Sequence, residues 1–291
     1  MDAQGREQTD LSIVRRAYAK QVLAAAGVSD SRIEAAYASV HREDFLGPGP
    51  WRLVGGLGHY VSTPAADPGY LYTDCVVGII PERQINNGQP SYHARLIAQA
   101  MPTEGDHVVH VGAGLGYYSA IFAHLVGSVG RVAAIEFLPE LAIRAKANLQ
   151  TLSNVEVMQG DGAAMAFREA DVIYVNAGAT RPADIWLDRL ATGGRLILPL
   201  TSDKGYSEAF DKITCGVVFR IERRGDEYAA SWASSVAVFP CAGNRDEVSE
   251  HALAVALRNG GEKNVTRLYR HDLIPPERCW LRAPGWCLAY V

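Results

Sequence analysis

The sequence predicts an α/β fold, a doubly wound and mostly parallel sheet, and three observations point there. From residue 106 onward, short apolar strands alternate with helical patterns. The first of those strands runs into a glycine turn, "VHVGAGLGYYSA" at 109–120, before a helix. Acidic residues then stand at the ends of the next two strands, Glu136 and Asp161.

Each element has its own signal. Leu11, Val14, Tyr18 and Val22 recur at helical spacing, and Gly27 supplies a stop. A second helix opens in "SDSRIEAAYASV", where Ser31 and Glu34 have capping-box spacing and Ile33, Tyr37 and Val40 share a face. Residues 47–74 are rich in Gly and Pro and read as loop with short extended pieces. "QPSYHARLIAQAM" is a helix opened by Pro90, with Ile97, Ala100 and Met101 facing inward. "HVVHVG" is then a strand, and Tyr118, Ile121, Phe122 and Leu125 form a helical face. "GRVAAIE" is the second strand; Leu138, Leu141, Ala145 and Leu149 line the next helix. "NVEVM", "DVIYVN" and "GRLILPL" are three further strands, the last two separated by helical "PADIWLDRL". "KITCGVVFRIERRGDEYAASWASSVAVF" carries two β-rich runs around Arg-Gly-Asp, an antiparallel hairpin expected at the sheet edge. "DEVSEHALAVALRN" is a helix, and "RCWLRAPGWCLAYV" closes with extended structure.

Composition narrows the function. The 48% apolar and 21% charged residues are those of a soluble globular protein. A net charge of −4 without a Lys/Arg run argues against a nucleic-acid surface. No stretch approaches the roughly 20 apolar residues of a membrane helix, and the polar start "MDAQGREQTDLS" lacks a signal-peptide core. Cysteines 75, 215, 241, 279 and 287 show no CxxC spacing, so reduced thiols in a cytoplasmic protein are expected and no metal site.

The glycine spacing selects the ligand class. The dinucleotide fingerprint is G-x-G-x-x-G, whose last glycine lets helix and strand pack closely against a bound pyrophosphate. Gly112, Gly114 and Gly116 are spaced G-x-G-x-G, and Tyr117 occupies the position of the third fingerprint glycine. Glu136, 24 positions after Gly112, is placed to bind ribose hydroxyls, and Asp161 of "GDG" to accept from an adenine amino group. Ribose and adenine contacts without a phosphate cradle describe S-adenosylmethionine better than a nicotinamide dinucleotide. The expected cofactor-binding set is Gly112, Ala113, Gly114, Gly116, Tyr117, Glu136, Asp161, Gly162 and Asn176.

Over residues 11–240 the chain resembles the protein-L-isoaspartate O-methyltransferase family of class I methyltransferases. The matching pieces are the N-terminal helix pair, "HREDF" (41–45), "YTD" (72–74), "VGAGLGYYSA", "AIE", "GDG" and "GGRLILPL". The resemblance implies a seven-stranded sheet with an antiparallel edge strand and S-adenosylmethionine as methyl donor. The chain is expected to divide into an N-terminal helical and acceptor-site segment (1–105), a donor-binding core (106–240) and a C-terminal extension (241–291) without a counterpart in the family, packed as one compact domain.

The acceptor segment departs from the family. There an Ile-Ser or Val-Ser step, a variable residue and Pro usually precede His-Ala; here the stretch is "INNGQPSYHA". Pro90, His93 and Ala94 align, Gly88 replaces the serine and Asn87 replaces the apolar residue before it. The amides Asn86, Asn87 and Gln89, with Tyr72 and Tyr92, are the candidate acceptor-binding groups. His93 and Asp74 are the candidate catalytic residues, each with a structural reading beside the catalytic one. The sequence therefore predicts a methyltransferase acting on a small-molecule or peptide acceptor other than isoaspartate. The alternatives are a non-catalytic S-adenosylmethionine or S-adenosylhomocysteine binder and, third, a nicotinamide-dependent oxidoreductase.

Overall fold

A computed structural model describes residues 3–55, 59–83, 85–203, 214–238, 240–241 and 243–290. The helical pattern at the N-terminus forms α1 (Ala3–Ala26), followed by α2 (Ser31–Ser39) and α3 (Glu43–Leu46). The cap of α2 is Asp30, whose carboxylate accepts from the Arg32 amide; Ser31 is the first helical residue, so the expected Ser31–Glu34 box is not the one used. Two short antiparallel pairs occupy the Gly/Pro-rich stretch and its continuation: β1 (Arg52–Val54) with β2 (Tyr60–Ser62), and β3 (Gly78–Ile80) with β4 (Ile85–Asn86). Then comes α4 (Pro90–Ala100), with Pro90 in its first turn. Ile97 and Ala100 are buried as expected, but Met101 is the left-handed cap (φ 52°) and points outward, 56% exposed.

The alternating half of the chain gives β5 (His107–Val111), α5 (Tyr117–Val126), β6 (Arg131–Glu136), α6 (Pro139–Asn148), β7 (Val155–Gln159) and β8 (Ala170–Val175). Next are α7 (Asp184–Asp188), β9 (Leu190–Ser202), β10 (Thr214–Arg224) and β11 (Glu227–Val238). The chain ends with α8 (Glu247–Asn259), β12 (Arg267–Tyr269), β13 (Cys279–Ala283) and β14 (Trp286–Ala289). The main sheet runs β13-β14-β12-β11-β10-β9-β8-β5-β6-β7, parallel from β9 to β7 and antiparallel beyond β9.

Two expectations change here. The β10–β11 hairpin is antiparallel, but it lies inside the sheet, because β12 pairs with the Tyr228–Ala229 end of β11. The sheet has ten strands where the resemblance implied seven, and the three added strands come from residues 267–289.

Period-two alternation loads both faces of the sheet. Val108, Val132 and Tyr174 pack beneath α1, α2, α4, α5 and α6, while Val109, Ile135, Ile173 and Leu198 pack toward α7 and α8. Burial on both faces explains the near-continuous apolar runs of the parallel strands. The chain leaves β5 outward through β6 and β7, then returns to pair β8 on the other side of β5. That reversal opens a crevice at the carboxyl ends of β5 and β8, where Gly112 and Asn176 stand.

Candidate active site

A cavity of about 950 Å³ fills this crevice and continues from the glycine turn to the acceptor segment. On the donor side, Gly112 has φ 77°, and a Cβ there would lie 3.0 Å from the Asn176 carbonyl oxygen, so the close approach of β5 and β8 requires glycine. Four of the turn's amides already have partners. Gly112 and Ala113 donate to the Ile135 carbonyl (2.9 and 3.1 Å), Gly114 donates to Glu136 Oε2 (2.7 Å) and Gly116 to the Ala113 carbonyl (2.9 Å). A pyrophosphate cradle needs such amides free. Glu136 also accepts from the Leu138 amide (2.9 Å), which fixes its carboxylate in the cavity wall. Burial pushes its pKa up, opposed by those backbone donors. Asp161 accepts from the Ala163 amide (2.9 Å), and Asn176 donates to the Gly112 carbonyl (3.4 Å). Gly162 has a packing role as well: a Cβ there would overlap Val111, and its carbonyl accepts from Trp186 Nε1 (2.7 Å).

On the acceptor side, Asn86, Asn87, Gly88, Gln89, Tyr92 and His93 all line the cavity. Asn86 accepts from the Tyr60 hydroxyl. Asn87 is 6% exposed, and its amide nitrogen has no hydrogen-bond partner among the described residues. His93, 3% exposed, stacks on Tyr118 with ring centroids 3.7 Å apart, and its Nδ1 lies 2.7 Å from the Tyr174 hydroxyl. Burial, with the nearby His110 and the charge of Arg42, lowers its pKa to about 3. A neutral imidazole with so low a pKa is a poor proton acceptor at neutral pH. Its Nε2 faces Gly88, whose φ is 69°: a Cβ on residue 88 would lie 2.8 Å from His93 Cδ2 and closer still to Nε2. The imidazole thus fills the space where the family's serine would project.

Four expected site residues do not line the cavity. Tyr72 is buried beside α1, bonded to Arg15 Nε (2.8 Å) and to Glu43. Tyr117 packs edge-on against Tyr37 and Phe45 in the helical layer. Gly116 (φ 93°) starts α5 against Leu149. Asp74 caps α4 from a neighbouring loop, accepting from the Ser91 amide (2.8 Å), Ser91 Oγ (2.6 Å) and Gln89 Nε2 (2.8 Å). It places the helix that carries His93 and has no contact with the cavity.

Sequence reasoning missed Phe137 and Leu138, which line the donor side directly after Glu136, and their place at a strand end was the available signal. It also missed Cys215, Gly216 and residues 235–238 of the hairpin, together with Pro240, Cys241 and Gly243. Among the described residues no cluster of His, Cys, Asp or Glu could hold a metal ion.

A doubly wound sheet with a glycine turn after its first parallel strand and an acidic residue ending the next strand is the fold of the class I methyltransferases. The family model described as protein-L-isoaspartate(D-aspartate) O-methyltransferase matches residues 58–224, and the chain belongs to that family. It is 32% identical over 210 residues to the Rhodopseudomonas palustris protein-L-isoaspartate O-methyltransferase, covering 70% of this chain and 86% of that one. It is 45% identical over 101 residues to protein-L-isoaspartate O-methyltransferase 2 of Archaeoglobus fulgidus, covering 33% of this chain. The matches span about half the length of several such relatives, 46% of the Archaeoglobus protein and 51% of that from Thermotoga maritima. A solved protein-L-isoaspartate O-methyltransferase superposes with TM-score 0.63 at 26% identity, covering 79% of this chain and 66% of that one. One from Plasmodium falciparum, in complex with S-adenosyl-L-homocysteine, shares the fold with TM-score 0.58 at 18% identity, covering 79% and 99%.

Proposed function

We propose that this chain transfers a methyl group from S-adenosylmethionine to a carboxylate other than the isoaspartyl side chain, on a peptide or small molecule. The observation that carries the reading is the Gly88–His93 contact. The Cβ of a serine at 88 and the imidazole where it stands cannot occupy the same space. The acceptor is therefore gripped by neutral groups, the unpaired Asn87 amide and the His93 ring, beside Asn86 and Gln89.

S-adenosylmethionine supplies an activated methyl on a sulfonium, so the chain's task is placement of the acceptor oxygen. His93 Nδ1 is held at 2.7 Å from the Tyr174 hydroxyl, and in the tautomer protonated on Nε2 the ring can donate to an acceptor oxygen. No proton need leave a carboxylate acceptor, which suits a site whose only imidazole among the described residues is held neutral with a pKa of about 3. A hydroxyl acceptor would need a base, and the acceptor end of the cavity offers none among the described residues. Residues 54, 76, 79, 85, 236 and 238 give that end apolar side chains.

Five free cysteines, and the lack of any described helix long and apolar enough to cross a membrane, support placing the protein in the cytoplasm. The test is calorimetry followed by catalysis. The chain should bind S-adenosylmethionine and S-adenosylhomocysteine and show negligible affinity for NAD. An isoaspartyl-peptide assay with labelled donor should show no turnover, and robust turnover refutes the altered acceptor site. Donor binding without transfer to any of a panel of carboxylate peptides favours the second reading, a non-catalytic binder, which Gly88 keeps open.

A further inference from the structure

We propose that Gly243, in the extension beyond the matched family region, is a positioning residue for the donor's adenine ring, acting through Asp161. The inference rests on the donor-site reading above and goes beyond it, because it assigns part of that site to the C-terminal extension. Pro240, Cys241 and Gly243 line the same cavity as Gly160, Asp161 and Gly162 at the end of β7. The Gly243 α-carbon faces the Asp161 carboxylate so closely that a Cβ would overlap both oxygens and Cγ. The backbone of Gly243 is not in the left-handed region, so only space, not conformation, opposes a side chain there.

This wall is held at several points. The Cys241 amide donates to the Gly178 carbonyl (2.8 Å), and Gly178 and Pro240 form an isolated parallel bridge. Asn244 accepts from the Thr180 amide (3.1 Å) and donates from Nδ2 to the Arg181 carbonyl (2.7 Å). Arg245 donates to the Gly178 and Thr201 carbonyls (3.2 and 3.0 Å) and pairs with Glu250 of α8 at 2.6 Å. A carboxylate pressed between a fixed backbone and the Ala163 amide has one orientation, which leaves its remaining lone pairs to accept from the adenine amino group.

The residue type at 243 therefore sets how well the site distinguishes an amino from a carbonyl group on the purine. The experiment measures binding of S-adenosylhomocysteine and of S-inosylhomocysteine, which carries a carbonyl in place of the adenine amine, to the full chain and to Gly243→Ala. The natural chain should prefer the adenosyl ligand. Gly243→Ala should weaken that ligand by about tenfold or more while leaving the inosyl ligand nearly unchanged, so the preference collapses. Arg245→Gln, which frees the wall without adding bulk, should shift the preference the same way and covers the case where Gly243→Ala does not fold. Adenosyl binding by Gly243→Ala within about twofold of the natural chain overturns the proposal. So does an equal loss of both ligands with the preference intact. A natural chain that binds neither ligand overturns the donor-site reading itself, a distinct result.

Discussion

Replacing Gly88 with serine restores the family's residue in name, yet the structure predicts that it damages the site. At φ 69° a residue with a Cβ adopts the left-handed conformation at a cost of about 1–2 kcal/mol. The new Cβ must also displace His93, which is fixed by the Tyr174 hydroxyl at 2.7 Å and by stacking on Tyr118. Losing that buried hydrogen bond costs about 1 kcal/mol, and forcing the ring off its rotamer about as much again. The expected loss of stability is about 3–4 kcal/mol. Urea unfolding of Gly88→Ser beside the natural chain measures it, and the labelled-donor assay with an isoaspartyl peptide reads the activity. The expected outcome is a lower midpoint and no isoaspartyl turnover by either protein. Stability within about 0.5 kcal/mol of the natural chain, or turnover gained by the variant, refutes the reasoning.

Other perturbations probe the rest of the site. Glu136→Ala should weaken S-adenosylhomocysteine binding by about 1.5–3 kcal/mol, the scale of hydrogen bonds to a charged group; calorimetry within about twofold of the natural chain contradicts it. His93 and His110 are buried neutral with pKa values lowered to about 3, from 6.5 when unfolded. The unfolded chain then binds more protons between those values, so stability is full above pH 6.5 and is lost as pH falls toward 3. The slope approaches about 1.4 kcal/mol per pH unit for each histidine. Glu136, whose pKa is raised, works the other way and gains stability as pH falls through its folded pKa. Denaturation midpoints that stay level from pH 6.5 to 5 would count against the histidine assignment. Arg42→Met should destabilise by at least about 3 kcal/mol, because it strips three carbonyls, one buried and two partly buried, of a fully buried charged donor; a loss under about 1 kcal/mol would show the arginine to be dispensable.

What could be read in the sequence was whatever is local. The β5–α5–β6 unit announces itself by a change of hydrophobic period at a glycine turn, so Gly112 and Glu136 could be placed from neighbouring residues alone. Side-chain direction is not local. Tyr117 and Tyr118 are adjacent, yet Tyr118 lies against His93 at the cavity and Tyr117 points into the aromatic layer under α1 and α2. Strands as short as β12 carry little periodicity of their own, and β12 exists because Tyr228 and Cys287 lie on either side of it. Gly243 gave no signal either, since "CAGNRD" reads as a turn and its contact with Asp161 crosses 82 positions of sequence.

The three family motifs ahead of the glycine turn become one physical unit once their partners are known. Arg42 of "HREDF" is fully buried, and its hydrogen bonds among the described residues reach the carbonyls of Leu71 (2.6 Å), Thr73 (3.3 Å) and Cys75 (2.6 Å) and the Cys75 sulfur, with no carboxylate among them. The rings of Tyr18 and Tyr117, each 6.0 Å from its guanidinium carbon, take part of the place of a counter-ion. A charge held mainly by carbonyls from one loop fixes the path of that loop, which is "LYTDC". The loop's Asp74 then caps α4, because Gln89 at the helix start makes no side-chain cap of its own. With α4 fixed at its first turn, His93 meets Tyr174 and Tyr118 in one orientation and faces Gly88. Arg42 and Asp74 therefore act at a distance on the placement of His93. Substituting either should blur the position of His93 before it touches the donor side, where Glu136 and the glycine turn are anchored independently by β5 and β6.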